Sequence, residues 1–121
     1  MKIIFIRHGE PDVTGVDDRG FIGQGRDFAP LSDLGIQQAQ AVCHDPRLTG
    51  AQLIISSPYT RALQTAAILS KNTGIDIAVE LDLYEFIPDK TFRLKGEAEN
   101  KALHKDFLRH HGEYPPGETR K

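Results

Sequence analysis

Residues 2–6, Lys-Ile-Ile-Phe-Ile, form a short run of strand-forming residues that ends abruptly at Arg7-His8-Gly9-Glu10. An apolar run without alternation reads as a strand buried on both faces, the habit of strands in parallel sheets. A parallel sheet needs crossover connections, and the rest of the chain supplies them. Ser32 offers an N-cap to a helix over residues 33–43, stopped by Asp45-Pro46. Its apolar positions are Leu34, Ile36, Ala39, Val42 and Cys43, and Gly35 weakens it. Residues 52–56 read as a second buried strand broken by Ser57-Pro58. A second helix starts at Thr60, sets Ala62, Leu63, Ala66 and Leu69 on one face, and ends at Asn72-Thr73-Gly74. Residues 75–81 read as a third strand.

Strand, helix, strand, helix, strand predicts right-handed βαβ units. The fold class is therefore α/β: three layers, α/β/α, around a mainly parallel sheet. A last helix is predicted over residues 97–111, with Ala98, Leu103, Phe107 and Leu108 inward. Residues 11–30, with Gly15, Gly20, Gly23 and Gly25 and no helical period, read as a long loop.

The 121 residues suit one domain and are too few for two. A net charge of −2 leaves no basic surface for nucleic acid or membrane, so a positive site must be local. A small anionic substrate held by a few arginines fits that balance. Cys43 is the single cysteine, which excludes an internal disulfide. With no signal-peptide pattern and no apolar run near the ~20 residues of a membrane span, a cytoplasmic location is expected.

In parallel α/β sheets, ligands bind beyond the carboxyl ends of the strands. The first strand ends in Arg7-His8-Gly9-Glu10, the second leads into Ser57-Pro58-Tyr59-Thr60-Arg61, and the third into Leu83-Tyr84-Glu85. These groups suit phosphoryl transfer. A neutral imidazole at His8 is a nucleophile that can accept a phosphoryl group and split one hard step into two. Arg7 and Arg61 have the fork geometry to hold phosphoryl oxygens. Gly9 lets backbone approach the phosphate. Glu85 is a candidate proton donor to the leaving alcohol.

Each piece also has a plainer reading. Arg-His-Gly alone occurs by chance in turns, Glu85 alone is a surface acid, and Ser57 is as good a turn-former as a phosphate contact. Arg61 alone reads as a solvated first-turn arginine. A cation is disfavoured at a helix N-terminus unless an anion sits there.

Taken in order along the chain, these residues resemble the histidine phosphatase superfamily, the phosphoglycerate-mutase-like enzymes. The resemblance runs through Arg7-His8-Gly9-Glu10, Gln24-Gly25 before Asp27, Pro30-Leu31-Ser32, Gly35, Gln38-Ala39, Ser57-Pro58, Arg61-Ala62, Thr65-Ala66, Glu85 and Pro116-Gly117-Glu118-Thr119. It implies that His8 is the phosphorylated nucleophile, that Arg7 and Arg61 hold the phosphoryl oxygens, and that Glu85 is the proton donor. It also implies that Gln24 and Gly25 lie where a mobile loop meets substrate. No metal or organic cofactor is expected.

Two departures from the family pattern matter. Thr14 stands where many members have a phosphate-contacting Asn. The family also completes its pocket with a second histidine, in a His-Gly pair after a later apolar strand, whereas this sequence ends at Lys121. His111-Gly112 is no substitute, because it follows a helical pattern and precedes Gly117-Glu118-Thr119. A metal site from His104, His110 and His111 lacks carboxylate or cysteine support. The expectation is an N-terminal portion of a family member, with an uncovered sheet edge that a homo-oligomer would cover.

Hydrolysis of a phosphomonoester is the leading expectation. A phosphoglycerate-mutase-type isomerase is the alternative within the family. Mutases usually carry a longer insertion after the Glu85 position, and only about thirty residues separate Glu85 from Gly117 here. A phospho-ligand binding or interaction module without catalysis is the alternative outside it. A dinucleotide-binding domain is a poor match, because the turn after the first strand has no Gly-x-Gly-x-x-Gly.

Overall fold

Among the described residues, two parallel strands joined by a helix form the sheet of the structure. β1 (Ile54–Ser56) pairs with β2 (Ile77–Val79) in the register Ile54 to Ile77, Ile55 to Ala78 and Ser56 to Val79. The crossover between them is α3 (Thr60–Thr73), a βαβ unit of the α/β class. The coordinates are a computed structural model that describes residues 1–20, 23–85 and 105. These divide into two units: Met1–Asp12 with Asp27–Tyr84, and Val13–Arg26 with Glu85–Lys121.

In the first unit, local chemistry places the helices where the sequence predicts them. α2 (Asp33–Val42) begins after Ser32, whose Oγ accepts from the Gly35 N–H at 3.0 Å. That satisfies one orphan donor of the first turn. α3 ends at Gly74, which adopts φ +74° and donates its N–H to the Ser70 carbonyl. Only a residue without a Cβ takes that left-handed turn cheaply. α3 packs on α2 and on both strands. Ala39 of α2 and Ala66 and Leu69 of α3 are buried there, with Ala29 and Leu31 from the preceding segment.

Asp45-Pro46 stops α2 and starts a 3-10 turn, Pro46–Leu48, that the sequence does not announce. Asp45 caps this turn through Arg47 N–H and also grips the Arg47 guanidinium at 2.9 and 2.6 Å. These hydrogen bonds from Arg47 lower its pKa from 3.8 to about 2. A carboxyl titration followed by NMR is expected to find Asp45 near 2. With a depressed folded-state pKa, the cap is in place above the ordinary carboxylate range and is lost as pH falls through about 2.

Two expectations for the first unit need correction. Residues 2–6 have no strand pairing among the described residues, and Ile3, Phe5 and Ile6 are exposed. An apolar run measures a tendency to be buried, whereas a strand needs a neighbour's N–H and C=O groups in register. Among the described residues the first predicted strand is therefore an unpaired segment. Leu34 of α2 also faces outward, 51 % exposed, because the buried side of that helix is set by Gly35 and Ala39.

The second unit is described from Val13 to Gly20 and again from Gly23. The loop expected over residues 11–30 contains a helix of one and a half turns, α1 (Thr14–Asp18), and a 3-10 helix, Gly23–Phe28. The Val13 carbonyl accepts the first backbone bonds of α1, from Val16 and Asp17, and Val16 is buried. Arg26 bridges to Asp17 through both Nε and Nη2, at 3.2 and 2.6 Å. An acid and a base spaced along a glycine-rich stretch are thus a fold device, missed because their spacing matches no helix period.

The helix expected over residues 97–111 lies outside the described residues, except for Lys105, which is helical. Residues 86–95, His104, His110, His111 and residues 116–119 lie outside them as well. No helix among the described residues is long and apolar enough to cross a membrane.

Candidate active site

His8 sits at the meeting point of the N-terminal segment and α3. The chain at residues 10–12 is fastened to residues 30–32 by an antiparallel bridge, Pro11 to Leu31. Asp12 N–H donates to the Pro30 carbonyl at 2.7 Å, and Ser32 N–H to the Glu10 carbonyl at 2.9 Å. Side chains add to this fastening. The Gln38 Oε1 takes the Glu10 N–H, the Gln64 Oε1 takes the Leu31 N–H, and the Ser32 hydroxyl donates to the Glu10 carboxylate.

The imidazole is fixed at both nitrogens. Nδ1 lies 2.7 Å from the Gly9 carbonyl oxygen, and Nε2 lies 3.2 Å from Arg61 Nε. A carbonyl can only accept and a guanidinium can only donate. Nδ1 therefore carries the hydrogen, and Nε2 keeps its lone pair toward Arg61. This is the tautomer that a nucleophilic imidazole needs at Nε2.

Arg61 is not the solvated first-turn arginine that it resembles in isolation. It is 8 % exposed. Its guanidinium lies 3.8 Å from the Asp27 carboxylate and 5.0 Å above the centre of the Tyr59 ring. A buried arginine at a helix N-terminus works against the helix dipole and is expensive to desolvate. An acid and an aromatic face offset part of that cost. Asp27 and Tyr59 were not legible as site residues, since neither carries a spacing signal toward position 61.

Arg7 is exposed and, among the described residues, has no ion-pair partner. It borders a cavity of about 490 Å³ within the first unit, with His8, Glu10 and Gln38 on its polar side and Leu34 and Val42 on its apolar side. Gly9 is buried, and its N–H donates to the Thr65 hydroxyl at 3.1 Å. A Cβ at Gly9 would run into the Gly35 backbone, with the Gly35 carbonyl carbon and Cα both at 2.9 Å. The glycine is thus required by α2 behind it, whatever approaches His8. Ser57 acts in the turn before α3, its hydroxyl 3.4 Å from the Tyr59 N–H, in line with its turn-forming role.

The first unit therefore brings His8, next to Gly9, against Arg61, while Arg7 borders the same cavity as His8. Thr14, Gln24, Gly25 and Glu85 belong to the second unit. There Thr14 opens α1 and is exposed, Gly25 is buried, and Glu85 is exposed. Among the described residues, no group of three His, Cys, Asp or Glu is placed to hold a metal ion.

The family model for branch 1 of the histidine phosphatase superfamily matches residues 3–121. The chain belongs to the histidine phosphatase superfamily. Its curated relatives in that superfamily include a probable phosphoglycerate mutase GpmB of Proteus mirabilis (strain HI4320), 33 % identical over 85 residues. A protein of the same name in Enterobacter sp. (strain 638) is 34 % identical over 85 residues. Both alignments cover 70 % of this chain but 38 % of the relative, so the chain matches well under half of their length.

Solved structures in the superfamily share the α/β fold. A mycobacterial glucosyl-3-phosphoglycerate phosphatase in complex with inorganic phosphate superposes with a TM-score of 0.63 at 28 % identity, over 93 % of this chain and 52 % of that one. Bacillus stearothermophilus YhfR gives a TM-score of 0.64 at 26 % identity, over 93 % of this chain and 56 % of that one.

Proposed function

We propose that the protein transfers phosphoryl groups through a phosphohistidine at His8 and hydrolyses phosphomonoesters. The observation that carries this reading is the state of the imidazole. Its Nδ1–H is held by the Gly9 carbonyl, and its Nε2 lone pair faces a buried guanidinium. That is a nucleophile set beside a fixed positive donor.

In the first step Nε2 attacks phosphorus as the bond from phosphorus to the ester oxygen breaks. The Arg61 N–H that faces Nε2 passes to a phosphoryl oxygen, and Arg7 adds a second fork. Glu85 gives its proton to the leaving alkoxide. In the second step a water attacks the phosphorus of phospho-His8, the N–P bond returns its electron pair to Nε2, and the Glu85 carboxylate takes the proton from the water. The family resemblance assigns substrate contacts to Gly9, Thr14, Gln24 and Gly25.

The phosphatase reading draws support from the mycobacterial relative and from the short spacing between Glu85 and Gly117. The mutase reading draws support from the GpmB relatives. Two measurements separate them. Incubation with a labelled phosphomonoester is expected to leave an acid-labile, base-stable phosphoryl group on His8. Its decay is expected to need only water. A label that persists until an acceptor alcohol is added would establish the mutase reading, and tight phosphate binding without any label would establish a binding module.

A further inference from the structure

Thr65 lies one helical turn beyond Arg61 and is 5 % exposed. Its hydroxyl donates to the Arg61 carbonyl at 2.8 Å, the ordinary back-bond of a threonine inside a helix. Its oxygen also accepts the Gly9 N–H at 3.1 Å, from a residue 56 positions away in sequence. That second bond closes a circuit. Arg61 Nε–H donates to His8 Nε2, His8 Nδ1–H donates to the Gly9 carbonyl, Gly9 N–H donates to Thr65, and Thr65 O–H donates to Arg61.

Four hydrogen bonds thus close a ring through the loop that carries His8 and the turn of α3 that carries Arg61, and the bonds from Arg61 to His8 and from Gly9 to Thr65 are the two that cross between loop and helix. Two of the four hold the imidazole, and the two through Thr65 hold the Gly9 amide and the Arg61 carbonyl. We infer that Thr65 is a positioning residue: it sets the Gly9 peptide, and through it the orientation of the His8 ring and its distance from Arg61. This role rests on the phosphohistidine reading above.

Simple core packing makes the opposite forecast for two substitutions. Thr65→Val keeps the shape and the methyl group but leaves the buried Gly9 N–H without its acceptor. Thr65→Ser keeps the hydroxyl and removes a methyl. If Thr65 only fills space, valine is the milder change. If it positions His8, serine is. Sub-ångström placement of a nucleophile is worth up to about 100-fold in rate.

The test follows phosphorylation of His8 by phosphoramidate, with ¹⁵N chemical shifts of the His8 ring read on the free protein. Thr65→Ser is expected to label within about threefold of the wild-type rate and to keep hydrogen on Nδ1 alone. Thr65→Val is expected to label about 100-fold more slowly and to show a mixture of ring tautomers. Equal labelling by the valine variant and the wild type overturns the inference. So does loss of label in the serine variant, which decides the matter even if the valine variant does not fold. Absence of label on the wild-type chain is a different failure: it overturns the phosphohistidine reading itself, and the positioning role falls with it.

Discussion

His8→Gln is expected to abolish phosphoryl labelling of the chain while leaving it folded. Glutamine offers an amide oxygen that can take the Arg61 N–H and an amide nitrogen that can donate to the Gly9 carbonyl. The two neighbours that hold the imidazole at 3.2 and 2.7 Å therefore keep partners of the right kind. What is lost is the lone pair on Nε2. An amide nitrogen has no available lone pair, so it forms no N–P bond under the same conditions. His8 is half-buried at the edge of a cavity, and its replacement creates no sealed void. Thermal unfolding is expected to move by no more than about 1 kcal/mol. The measurement is the mass and acid lability of the intact protein after exposure to phosphoramidate. Labelling of His8→Gln at the wild-type rate would move the phosphoryl acceptor elsewhere and remove the basis of the functional reading.

The parts of this molecule that were legible in its sequence are those decided within a few residues. Ser32 caps α2 because its hydroxyl reaches an amide three positions on. Gly74 ends α3 because the left-handed turn admits it. Arg7-His8-Gly9 alone also occurs by chance in turns, and it stands out only through the apolar run before it and the motifs that follow it in order. What the sequence hid depends on partners far along the chain. Residues 2–6 look like a strand because they are apolar, but no ladder partner stands among the described residues. Arg61 looks solvated because nothing adjacent shows that Asp27, Tyr59 and His8 surround it. Thr65 stands in the sequence only as half of the Thr65-Ala66 pair, and only the amide of Gly9, 56 positions away, gives its hydroxyl a second role.

Gly35 is the clearest case, and it yields the second large effect. As a helix residue it looks like a defect: replacing a mid-helix glycine with alanine ordinarily gains up to about 1 kcal/mol. Gly15 in α1 obeys that rule, since a Cβ there meets nothing within 4 Å. Gly15→Ala is therefore expected to be neutral or mildly stabilising. At Gly35 the sign reverses. A Cβ built there falls on the Glu10 carbonyl oxygen, and the Glu10 N lies 2.9 Å away. The obstacle is backbone, held by Gln38 at its amide and by Ser32 at its carbonyl, so it cannot swing aside as a side chain would. Relief requires α2 and residues 9–11 to move apart, which strains the hydrogen bonds that frame His8. Overpacking against backbone at this level is expected to cost about 3 kcal/mol, which lowers the melting temperature by about 10 °C in a chain of this size. The same displacement would slow labelling of His8, so Gly35→Ala should lose stability and phosphoryl uptake together. A melting temperature equal to or above wild type would mean that helix propensity outweighs the clash, and that the backbones of α2 and the His8 loop do not meet at Gly35.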